Sequence, residues 1–132
     1  MLAAYIEGFG GPDVIRYGEL PDPEPGPGQV LVRAEAVAVD TADTYVRSGA
    51  WETAVTFPLV LGRDLVGTVA AAGAGVTEFA PGDRVWTNSA GYDGRPGVTA
   101  ELAVVAQERL YRLPDGTGSW PRCIRARPPT GC

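Results

Sequence analysis

The sequence predicts a mainly β chain with one or two short helices, folded as a compact, partly open barrel. Three observations carry this expectation. Gly62, Gly67, Gly73, Gly75 and Gly82 fall at or between short apolar runs in GRDLVGTVAAAGAGVTEFAPGDRV, residues 62–85, where glycine supplies positive φ or lets backbones approach closely. Further short apolar runs, separated by turn residues, recur at spacings typical of an all-β barrel or sandwich. A length of 132 residues suits one domain with a real core, and no 20- to 50-residue repeat divides it.

The elements follow in order. Leu2 to Phe9 reads as a strand ended by Gly8, Gly10, Gly11 and Pro12, and Val14 to Leu20 as its hairpin partner. Pro21, Pro23, Pro25 and Pro27 make a stiff connector that cannot donate to a sheet ladder. Gln29 to Val39 is the longest strand candidate, with Val30, Val32, Ala34, Ala36 and Ala38 on one face and Leu31, Arg33 and Glu35 on the other. Asp40 or Thr41 suits a helix cap, Ala42, Tyr45 and Val46 follow at helical spacing, and Gly49 ends the turn. Leu59–Leu61, Leu65–Ala72, Arg84–Thr87, Val98–Val105 and Leu110–Leu113 supply further strands. After Pro114-Asp115-Gly116 the pattern stops: Arg122, Arg125 and Arg127 stand without an acid among prolines, and residues 116–132 read as a disordered tail.

Composition excludes several classes. A net charge of −5 repels a phosphate backbone, and no basic stripe offsets it, so nucleic acid is not an expected partner. No apolar run approaches the roughly 18 residues of a membrane span, and the opening residues, without a basic leader and with an acid at Glu7, do not read as a signal peptide. A cytoplasmic protein is the expectation. All eleven basic residues are arginine and histidine is absent, which removes the usual general acid/base and the commonest metal ligand. Cys123 and Cys132 alone cannot form a tetrahedral zinc site. Gly73-Ala74-Gly75 lacks the third glycine and the following helix of a dinucleotide loop, since Pro81 intervenes. Asp83 reads as a turn residue bonded to backbone.

Three stretches, in the right order, carry a family resemblance: AAYIEGFGGPDVIRYGELPDPEPGPGQVLVRAEAVAV (3–39), DTADTYVRSGAW (40–51) and FPLVLGRDLVGTVAAAGAGVTEFAPGDRVW (57–86). Residues 1–115 resemble the N-terminal GroES-like domain of the medium-chain dehydrogenase/reductase superfamily, nearest its zinc-independent quinone oxidoreductase branch. The resemblance implies a GroES-like, alcohol dehydrogenase-like barrel that here lacks the Rossmann domain. Zinc-dependent members carry a ligand cysteine at the position of Asp40 and Gly-His-Glu where this chain has Gly62-Arg63-Asp64. An obligatory cation at Arg63 would repel a metal ion, so no zinc is expected. The zinc-independent branch usually has asparagine then proline where this chain has Asp40 and Thr41.

The resemblance also implies the site residues. Asp40 and Tyr45 are the catalytic candidates, placed near the acceptor. Tyr45 either stacks beside a nicotinamide or donates to a substrate oxygen, or packs as an amphipathic residue at the barrel rim. Arg47 either meets a coenzyme phosphate or pairs with Asp43 or Asp64. Arg63 stands on the cofactor side in place of the zinc ligand. Trp51 either lines an apolar quinone slot or packs ordinarily. Asp40, Asp43 and Asp64 show no paired spacing and suit solvated or salt-bridged roles.

The implied cofactor is NADPH and the implied partner a small quinone or enone, yet the chain has no βαβ unit with a Gly-rich turn to hold the coenzyme. Two functional classes stay open: part of a truncated oxidoreductase, inactive alone, and a β module that binds or assembles without catalysis. The abrupt loss of pattern near residue 115 is what a reading-frame shift produces. An uncovered barrel edge predicts self-association, or association with a missing Rossmann half.

Overall fold

The computed structural model describes residues 1–116. Strand β1 (Leu2–Ile6) turns through a 3-10 turn at Pro12–Val14 into β2 (Arg16–Glu19). The long β3 (Gln29–Ala38) leads to helix α1 (Thr41–Ser48). Then come β4 (Leu59–Val60), β5 (Asp64–Ala72), β6 (Arg84–Thr87), β7 (Leu102–Ala106), a 3-10 turn at Gln107–Arg109 and β8 (Tyr111–Arg112). They form two antiparallel sheets, ordered β2-β1-β4 and β7-β3-β5-β6-β8. The mainly β expectation holds, and the barrel is not closed.

The hairpin of β1 and β2 pairs Leu2 with Glu19 and Tyr5 with Arg16. In β3, Val30 and Val32 are fully buried while Arg33 and Glu35 are exposed. Its register against β5 slips between Leu31 and Val32 and again between Ala34 and Ala36. Such slips bend a strand and increase its twist. Gly67 lies against the second slip, where a Cβ would run into the Arg33 carbonyl oxygen and the Val32 side chain. The main core gathers Val30, Val32, Leu65, Val69, Val85, Val98 and Val105, and a second cluster joins Val46 of α1 to Ile6, Leu59 and Leu61. In the Pro-Gly-Asp turn, Asp83 accepts from the Ala80 N–H at 3.0 Å, as its turn position predicts.

Several strands are shorter than expected, and one is redirected. Val98–Val105 was expected as a single strand, but the β7 ladder begins only at Leu102. The residues before it stitch the sheets together. Gly97 N–H donates to the Val60 carbonyl, Thr99 N–H to Leu61, and Ala4 N–H to Thr99. Glu101 bonds both sheets at once, its N–H to the Leu2 carbonyl at 3.0 Å and its carbonyl to the Ala34 N–H at 3.0 Å. The first strand stops at Ile6, β2 starts at Arg16 because Pro12–Val14 form a turn, β4 ends at Val60, and the last strand shrinks to Tyr111–Arg112 behind the 3-10 turn. The tail expected over 116–132 lies, apart from Gly116, outside the described residues.

Candidate active site

Helix α1 is short, so its ends decide where its side chains point. Asp40 is the N-cap: its carboxylate accepts from the Ala42 N–H at 2.9 Å, and Asp43 returns a bond from the Asp40 N–H at 3.0 Å. This reciprocal box satisfies backbone donors that the first turn leaves open. At the other end Gly49 adopts φ 80° and its N–H reaches back to the last carbonyls. A Cβ there would press on the Phe9 ring at 2.9 Å, so the chain passes close under the loop before turning into Trp51.

The helix is tied to that loop by Arg47. Its Nε donates to the Gly10 carbonyl at 3.1 Å, while Gly10 N–H donates to the Arg47 carbonyl at 3.2 Å. The expected pairing of Arg47 with Asp43 or Asp64 therefore gives way to a backbone partner, because the 8–11 loop lies within the guanidinium's reach. Val46 points inward to Ile6 and Leu59, which turns its neighbour Tyr45 outward.

Three rings then run in sequence. Tyr45 and Trp51 lie 5.4 Å apart between centroids, and Trp51 meets Tyr92 edge-on at 5.5 Å and 79°. The Arg63 guanidinium sits 5.6 Å from the Tyr92 centroid, within the range of a cation–π attraction. An open cleft of about 460 Å³ is lined by Ala50, Trp51, Glu52, Arg63 and Tyr92, a size suited to a small planar molecule. Arg63 is placed by Gly62, whose φ of 103° and close packing on Thr99 leave no room for a Cβ. Asp64, next in the chain, is fully buried at the start of β5.

In the first turn of α1, Asp43 is only 7% exposed. Burial pushes its carboxyl above the usual carboxylate range, and the charge of Asp40 adds to this, against the Asp40 N–H bond and the attraction of Arg63. Among the described residues its Oδ1 has no hydrogen-bond partner.

Of the sequence candidates, Trp51 and Arg63 line the cleft, and Tyr45 stacks on its wall. Asp40 caps the helix, and Arg47 fastens it. Tyr92, the ring joining Trp51 to Arg63, had no periodic signal in the sequence: it lies in a turn between Gly91 (φ 66°) and Asp93 (φ 56°). For zinc the donor set is a poor fit. Asp40 already serves two backbone N–H groups, a guanidinium occupies position 63, and the described residues hold no cluster of three or more His, Cys, Asp or Glu for a metal ion.

Residues 26–115 match the family described as the alcohol dehydrogenase GroES-like domain. A quinone oxidoreductase of Pseudomonas aeruginosa is 44% identical over 108 residues, covering 82% of this chain and 32% of the relative. Among solved structures, a mycobacterial protein complexed with NADPH superposes with a TM-score of 0.80 at 37% identity, over 90% of this chain and 35% of that one. A quinone oxidoreductase of Pseudomonas syringae gives 0.82 at 32% identity, over 89% and 35%. The chain thus spans about a third of the length of the relatives it matches.

Proposed function

The chain belongs to the alcohol dehydrogenase GroES-like domain family, within the medium-chain dehydrogenases/reductases, and from that premise we propose that residues 1–115 are the acceptor-side part of a cytoplasmic, zinc-independent, NADPH-dependent quinone or enone oxidoreductase. The observation that carries this reading is the aromatic wall of Tyr45, Trp51 and Tyr92 beside a half-buried arginine. Flat rings offer stacking area to a quinone or a nicotinamide, and the Arg63 cation favours the negative charge that builds on a carbonyl oxygen as it is reduced.

The bound coenzyme would supply the hydride. This chain's own residues orient the acceptor. Tyr45, whose phenol is a donor at neutral pH, stands toward the acceptor oxygen. Asp40 acts at the same place by holding the first turn of α1, and Arg47 faces the coenzyme phosphates from the helix's last turn. The relative described as a quinone oxidoreductase and the neighbour solved with NADPH support the pairing of acceptor and cofactor.

We expect the chain to be inactive by itself, and to be completed by a Rossmann half or to associate through its open sheet edges. The test is NADPH oxidation with a quinone acceptor, by the purified chain alone and with a cofactor domain added in trans. We expect no turnover above buffer alone and activity on addition. Turnover by the chain alone would refute inactivity. A titration in which quinone leaves the Trp51 indole signal unmoved in an NMR spectrum would refute the acceptor site and favour a β module without catalysis.

A further inference from the structure

A second cavity lies between the end of β6, the 89–96 loop and the 3-10 turn that follows β7, and it shares no residue with the aromatic cleft. It holds about 60 Å³; Gln29, Thr87, Ser89, Arg95 and Arg109 line it together with alanine, proline and valine residues that make most of its wall apolar. That is room for a few waters or one small ion.

Its charge is unusual for this molecule. The acids of the sequence all lie within the described residues and outnumber the arginines there, yet two arginines and no acid line this cavity. Arg95 is held below the ordinary guanidinium value by burial first, and then by the positive charges of Arg109 and Arg63. The neighbouring acid, Asp93, is 3.7 Å away and its side chain is 72% exposed, which makes it a weak, water-screened counterion. Among the described residues Arg109 has no carboxylate partner at salt-bridge distance.

The local hydrogen bonds hold these groups in place and leave donors over. Arg95 Nε donates to the Ser89 carbonyl at 2.9 Å, which fixes the guanidinium plane and leaves its terminal N–H groups for another acceptor. Thr87 Oγ1 donates to the Arg109 carbonyl at 2.7 Å and anchors the backbone that carries the second guanidinium. Gln29 Oε1 accepts from the Gly26 N–H at 2.9 Å, so the free end of its amide is the donor NH₂. A small cavity with two cations and an amide donor, and without a desolvated carboxylate, is complementary to an anion with several acceptor oxygens.

We propose that the Arg95–Arg109 cavity binds a small tetrahedral oxyanion of the size of inorganic phosphate. The ion relieves the repulsion between the guanidiniums and ties the 89–96 loop, which carries Tyr92 of the aromatic cleft, to the five-stranded sheet.

The test is thermal unfolding of the purified full chain during a titration with sodium phosphate, ionic strength being held constant with sodium chloride. The wild type is expected to give a saturable rise in Tm, because a ligand that binds the folded state alone stabilises it. Arg95→Gln and Arg109→Gln are each expected to weaken the apparent affinity about tenfold or more, as loss of a charge-assisted contact does, with Arg16→Gln unchanged. If one variant fails to fold, the other decides. No saturable rise in the wild type, or a rise of the same affinity in the arginine variants, would overturn the site.

Discussion

In the five-stranded sheet Val30, Val32, Leu65 and Val85 have no exposed surface, whereas around α1 the rings of Phe9, Tyr45, Trp51 and Phe57 are each more than a third open to solvent. The sheet is held by burial, and the cleft by a capping box, a left-handed glycine and an arginine bonded to a loop carbonyl. The two regions thus rest on different interactions, and a change in the buried sheet should be read in stability first while a change among the exposed rings should be read in recognition first.

The largest effect is expected at Leu65→Ala. It empties a fully buried site and should cost about 2–5 kcal/mol in urea unfolding. Next is Gly67→Ala, whose Cβ meets the Arg33 carbonyl and the Val32 side chain. Overpacking of this kind costs about 1–3 kcal/mol, read as a lower denaturation midpoint. Asp40→Ala removes the N-cap and should cost roughly 0.5–2 kcal/mol; because the helix start also sets Tyr45, quinone-induced shifts at the ring should weaken as well.

Asp43→Asn probes pH rather than packing. A carboxyl raised by burial binds its proton more tightly in the folded state than in the unfolded one, so its contribution to stability falls as pH rises through the carboxylate range. The amide does not titrate. The variant should melt higher than wild type at neutral pH, with the gain vanishing below the ordinary value of 3.8; a gain independent of pH would show that burial of the charge is not the cause. A small stability effect belongs to Trp51→Ala, expected at about 0.5–1.5 kcal/mol for its ring contacts with Tyr45 and Tyr92, with loss of quinone binding. If it destabilises as much as Leu65→Ala, the division between sheet and cleft fails.

Much of the fold was legible because periodicity reports burial. The alternation from Gln29 onward marked β3 to within a residue of its observed end, and Asp40 and Gly49 marked both ends of α1. Val98–Val105 misled because Thr99 and Ala100 look like strand residues, and they do make sheet-like bonds, but to the other sheet. Nothing local distinguishes those two partners. Arg47 was ambiguous for a related reason: a guanidinium bonds carbonyls as well as carboxylates, and the Gly10 carbonyl is 37 residues distant in the chain. Tyr92 and the Arg95–Arg109 pair were invisible because loop residues have no period, and their convergence depends on the turns at Gly91 and Gly94 and on the 3-10 turn that ends at Arg109.

The bonds of Glu101 to Leu2 and Ala34 set a timetable for synthesis. At about 5–20 residues per second, the ribosome finishes β1 roughly 5–20 s before it reaches Glu101, and for most of that interval the hairpin has only α1 and β4 to hold it. The last third of the domain decides when the first strand is safe.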